Sequence, residues 1–196
     1  VDTERGWGRC FSCGATVRVT EIGRWYRLDV TLLVQSWTDH SLPNNGLLLR
    51  APLDALNLQI FFFASAEHRE KGLRPRLLVD YGFDTGPQPS QTRVETLEPT
   101  TTSTARPTAT MTSTSAPGIE NTITIQQGPD QSCEDTFLYK YAPATNHCLS
   151  DTLMIGFRQQ YVSALRFDLS SIPAGAAITR ARLQVYATGW SGQNTT

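Results

Sequence analysis

"YVSALRFDLSSIPAGAAITRARLQVYATGW", residues 161–190, reads as two strands joined by a turn. Apolar and polar residues alternate through 161–170 and again through 178–190, the period of a strand with one buried face. The segment 172–177 between them, IPAGAA, has the Pro and Gly of a turn. The same period marks 121–128, 135–141 and 151–157 upstream, and 15–22, 25–31, 56–65 and 74–83 nearer the start. In 41–51 a turn precedes a strand, with Asn45-Gly46 as its tight-turn signal. Leu33, Val34 and Trp37 allow a short helical turn in 30–37, but no amphipathic helix of three turns is visible. The expectation is an all-β chain of about ten short strands, suited to a jelly roll or β-sandwich.

Composition splits the chain into three parts. Residues 1–83 and 118–196 carry the alternation, whereas residues 84–117 are Thr, Ser or Pro at 20 of 34 positions. Such a tract buries too little apolar surface to offset backbone entropy of about 1–2 kcal/mol per residue. Its prolines, Pro87, Pro89, Pro99, Pro107 and Pro117, bias it towards an extended linker. Dense Thr and Ser with Pro is also the composition of O-glycosylated stalks. Candidate glycan acceptors are Thr100, Thr101, Thr102, Ser103, Thr104, Thr108, Thr110, Thr112, Ser113, Thr114 and Ser115. The tract is expected to be held in place by a neighbouring bead or by its glycans.

Charged residues are 18% of the chain and the formal net charge is −1. That leaves no electrostatic case for nucleic acid or an anionic membrane as partner. The longest apolar run, IFFFA at 60–64, is far short of a membrane span. Val1 opens the chain without a secretory leader, so any signal is expected to have been removed or to lie upstream. Four cysteines, Cys10, Cys13, Cys133 and Cys148, together with the tract, suggest an extracellular, disulfide-bonded protein. Zinc is the competing reading, but Cys10-x-x-Cys13 is only half of a ribbon site. Of the three pairings, Cys133–Cys148 with Cys10–Cys13 is preferred.

The run 161–189, with R-F-D-L, then S-S-I-P-x-G-A-x-I, then A-R-L-x-V-Y, resembles the DNRLRE-type domains, secreted bacterial β-sandwich modules. Residues 135–157, DTFLYKYAPATNHCLSDTLMIGF, are similar to that family's opening, with Cys148 where a Gly is usual, which fits a disulfide in this loop. Residues 25–51 and 64–81 resemble the family's other end, including W-x-x-x-D-V-T-x-L-V-Q-x-W and R-P-x-L-x-V-x-Y. The resemblance implies that Glu67 is partly buried, and it makes carbohydrate binding the alternative function.

The two ends stand in reversed order, so the chain reads as the back half of one domain, a linker, and the front half of a domain. Half a sandwich leaves strand edges unpaired. Three arrangements repair this: one repeat of a longer chain, with Thr196 leading into the next Val1; a separate subunit completing its neighbours; or a permutant closed on itself. The first two make filaments through non-closing contacts. They are favoured here, with self as partner and an extracellular filament as the location.

Enzyme chemistry is not expected. His40, His68 and His147 lack metal-ligand spacing, and no nucleophile elbow, phosphate loop or dinucleotide fingerprint is present. No cofactor is expected. Asp135 and Asp151 begin strands and read as turn caps; Arg166 and Asp168 read as fixing a strand–turn junction. Trp25, Trp37, Phe61, Phe63, Tyr139, Phe167 and Tyr186 are expected in the core. Trp7 and Trp190 are the candidate sugar-stacking residues. Asn194-Thr195-Thr196 is a formal N-glycosylation sequon.

Overall fold

The computed structural model describes residues 14–51, 58–83, 121–126 and 134–192. Its elements are β1 (Arg24–Asp29), α1 (Thr31–Thr38), β2 (Leu47–Leu49), β3 (Ile60–Ala64), a 3-10 turn (Lys71–Leu73), β4 (Arg76–Gly82), β5 (Asn121–Gln126), β6 (Asp135–Tyr139), β7 (Thr152–Gly156), β8 (Tyr161–Leu165) and β9 (Ala177–Ser191). The nine strands form one antiparallel sheet, so the all-β expectation holds at this level. The helix anticipated at 30–37 is two turns long. It lies on β9 through buried Val34 and Trp37, with Gln35 Oε1 accepting the Ile178 N–H at 2.8 Å.

β9 organises the molecule. Its first two thirds pair with β1 on one side and β4 on the other, and its last residues pair with β3. The sheet continues from β3 through β7 to β8, which also carries β2 and β6. Inward-facing Leu77, Val79, Leu183 and Val185 join Phe63, Leu153, Leu165 and Phe167 in one cluster closed by Val34 and Trp37. Residues from both ends of the sheet share that cluster, so the sheet curls around a single core.

The ladders have a simple rule. Each of β1 to β4 pairs only with strands of 121–192: β1 with β9, β2 with β8, β3 with β7 and β9, and β4 with β5 and β9. Among the described residues, no ladder joins two strands of 14–83. Within this chain, strands of 14–83 and of 121–192 together make up the one sheet. β4 and β5 are antiparallel neighbours with Tyr81 opposite Asn121. The end of β4 and the start of β5 thus stand side by side, a gap that a two-residue turn spans in ordinary hairpins.

Two local expectations differ from the structure. Residues 15–22 are not a strand: the Tyr26 hydroxyl takes the Thr20 and Glu21 N–H groups at 3.0 and 2.9 Å and donates to the Glu21 carbonyl. β8 ends at Leu165 rather than running to Ser170, because the next residues turn back onto other partners. Asp168 accepts both the N–H and hydroxyl of Ser170, while Asn44 Nδ2 donates to the Phe167 carbonyl. β7 stops at Gly156, whose φ of 116° admits no side chain: a Cβ there would collide with the Gln59 carbonyl.

Of the aromatic residues expected in the core, Trp37, Phe63 and Phe167 are buried. Trp25, Phe61, Tyr139 and Tyr186 are only half-buried. Trp25 and Tyr186 lie on the outer face, because their neighbours Tyr26 and Val185 take the inner one.

Candidate functional site

The outer face of β1, β9, β4 and β5 collects the residues with binding chemistry. Strand alternation with the core positions places Trp25, Arg27 and Asp29 there from β1, Arg180, Arg182, Gln184 and Tyr186 from β9, and Arg76 and Asp80 from β4. Thr122, Thr124 and Gln126 extend the face along β5. Four arginines against two aspartates make the face basic on a chain whose formal net charge is −1.

Arg76 ties its centre together. Its guanidinium carbon lies 4.3 Å from the Trp25 ring centroid, and its Nε donates to Gln184 Oε1 at 2.8 Å. Trp25 meets Tyr186 edge to face at 5.4 Å between centroids. Gln184 is only 2% exposed beneath this cover. Further along, Asp80 accepts from Thr122 Oγ1 and from Arg180 Nε, each at 2.8 Å. These bonds, Thr122's first, hold the Asp80 carboxyl below its ordinary range. Asp29 is likewise lowered, chiefly by the N–H and hydroxyl of Thr31 and less by Arg182 and Arg180. Arg27 is exposed, and Arg182 Nε is buried without a hydrogen-bond partner among the described residues. The face thus offers guanidinium groups beside an aromatic edge, which suits an anionic group attached to an apolar ring.

The candidate residues fare as follows. Trp190 is 43% exposed on β9, opposite Phe61. Trp7, the tract residues from Thr100 to Ser115, the sequon at Asn194 and Cys10, Cys13 and Cys133 all lie outside the described residues. Cys148 is disulfide-bonded. Asp168 fixes its turn through Ser170. Asp151 accepts from the neighbouring Thr152 hydroxyl at 3.0 Å. Asp135 departs from its expected role. It is 3% exposed and reaches across to the Ala66 N–H at 2.7 Å. Only the fold brings residue 66 to residue 135, so spacing gave no signal. The outer face has no signature in the sequence either: its arginines are scattered from position 27 to 182 and converge through strand pairing alone.

Among the described residues, fold and site together define an antiparallel all-β arrangement with one short α-helix and a basic, aromatic sheet face. Among the described residues, no three His, Cys, Asp or Glu side chains converge as for a metal ion. No described helix is long and apolar enough to cross a membrane. Comparison with protein-family models, curated proteins and solved structures finds no match.

Proposed function

We propose that this chain is a structural unit of an extracellular filament, a β-sandwich bead of DNRLRE type assembled from two half-domains. One observation carries this reading: the ladders of 14–83 are all made with 121–192, yet the two parts are connected by a tract far longer than their adjacent ends require. Extended at about 3.1 Å per residue, the tract reaches on the order of 100 Å. The same ladders can then form between successive copies, head to tail, without any new interface. O-glycans on the tract would stiffen it against collapse, and a Cys133–Cys148 bridge would fasten the loop before β7.

The test is the native material. Negative-stain imaging should show beaded filaments, and the mass per unit should exceed 21.7 kDa by the attached sugar. A monodisperse, unmodified monomer of that mass at every concentration would end the filament reading.

A second reading, carbohydrate binding, has its own observation in the basic aromatic face. A polysaccharide carrying carboxylates would pair with Arg27 and Arg182 and lie against Trp25 and Tyr186. Arg182→Ala and Trp25→Ala should each weaken retention on a polyuronate gel by about tenfold, the size of one charged or aromatic contact. Trp190→Ala tests the alternative platform at the far end of β9. Equal retention of all three variants and the parent would remove this reading.

A further inference from the structure

We propose that Asp135 and Glu67 form a proton-operated latch between residues 14–83 and residues 121–192, closed while one proton is held between their carboxyls. Asp135 opens β6, opposite Leu165 of β8. Glu67 lies in the turn between β3 and the 3-10 turn at Lys71–Leu73, next to Ala66, whose N–H Asp135 accepts, and its carboxyl is a near electrostatic neighbour of Asp135. Glu67 Oε2 is buried without a hydrogen-bond partner among the described residues. Neighbouring carboxyls with buried oxygens repel each other when both are ionised.

The turn around them is bolted across the same junction. The Ser65 hydroxyl donates to the Ser150 carbonyl at 2.6 Å, the Ser65 N–H to the Asp151 carbonyl at 3.2 Å, and the Ala66 N–H to Asp135 Oδ2. A force that pushes Glu67 outward therefore pulls on contacts that join the two parts. The latch belongs to that junction whether a chain completes itself or its neighbour, so it stands apart from the filament reading.

The charges nearby favour the proton. Burial comes first in pushing the Asp135 carboxyl up to about 7; Glu67 and then Glu134 add to it, and the Ala66 N–H opposes it. The other titratable or charged groups on the surrounding elements are His68 in the turn, Asp151 before β7, Arg166 after β8, and His147, whose ring stacks on Phe137 at 3.9 Å. The sign follows. The folded chain binds this proton more tightly than the unfolded chain, whose carboxyl titrates at its ordinary 3.8. The stability it contributes is full below that value and is lost as pH rises through about 7.

The experiment is urea unfolding of the whole chain from pH 5 to pH 8, with Asp135→Asn and Glu67→Gln beside it. In the parent the unfolding constant should rise roughly ten- to a hundredfold across that range. Either amide variant supplies a fixed donor to the remaining carboxylate and should flatten the profile. A carbon-detected NMR titration of Asp135 in the parent gives a readout that needs no variant: a midpoint between 6 and 8 is expected (about 7). A midpoint in the ordinary carboxylate range overturns the latch. So does a parent profile that is flat, or a slope that persists unchanged in both variants.

Discussion

Residues 1–83 and residues 118–196, prepared as two separate chains, should each be unfolded alone and should fold together on mixing. The reason lies in the ladders. The four strands of the first part have no ladder with one another among the described residues, so alone that part has no sheet. The second part keeps β6, β7 and β8 together but strips both flanks of β9, exposing Leu183 and Val185 to water. Two- or three-stranded pieces with an open apolar face are marginal in water. Mixing restores the core. A domain stability of about 5 kcal/mol or more, with an effective concentration near ~1 mM set by the tract, places the fragment dissociation constant below micromolar. Circular dichroism and amide NMR dispersion report the change. A cooperative unfolding transition in either fragment alone, or no gain of structure on mixing, would overturn the argument.

Leu183→Ala is the point mutation expected to cost most at the junction. Leu183 is fully buried and stands between Leu28 of β1 and Leu77 of β4. Both flanking strands belong to the other part, so neither can close in without breaking register with β9. Truncation leaves a cavity, and the cost is about 3–4 kcal/mol. In the two-fragment experiment this appears as a dissociation constant weaker by a factor of at least about a hundred. Arg180→Ala is the contrasting change three pairs along the same strand. Its side chain is 57% exposed and pairs with Asp80 at 2.8 Å, and such a pair is worth less than about 1 kcal/mol. Equal losses in the two variants would mean that the junction is not held by its apolar core.

Residues 15–22 and 178–190 show how far alternation can be trusted. Both have the period of a strand, but only the second became one. A strand needs a neighbour to receive its N–H groups, and at 20 and 21 the Tyr26 hydroxyl took them first. Trp25 and Tyr186 show the related limit on burial. Alternation sorts residues onto two faces, but it does not say what covers each face. Here the aromatic pair met Arg76 on the outer side instead of the core.

By itself the sequence determined the all-β class, allowed a short helical turn in 30–37 and divided the chain by composition around its Thr/Ser/Pro tract. Those features depend on neighbours a few residues apart, where backbone preference and side-chain period act directly. Tertiary structure alone decided that, among the described residues, β1 to β4 find their partners only in 121–192, that arginines from Arg27 to Arg182 share one face, and that Asp135 reaches the Ala66 N–H. Each of these joins residues far apart in the chain. What brings them together is burial of one common core, a collective quantity that no short window of sequence contains.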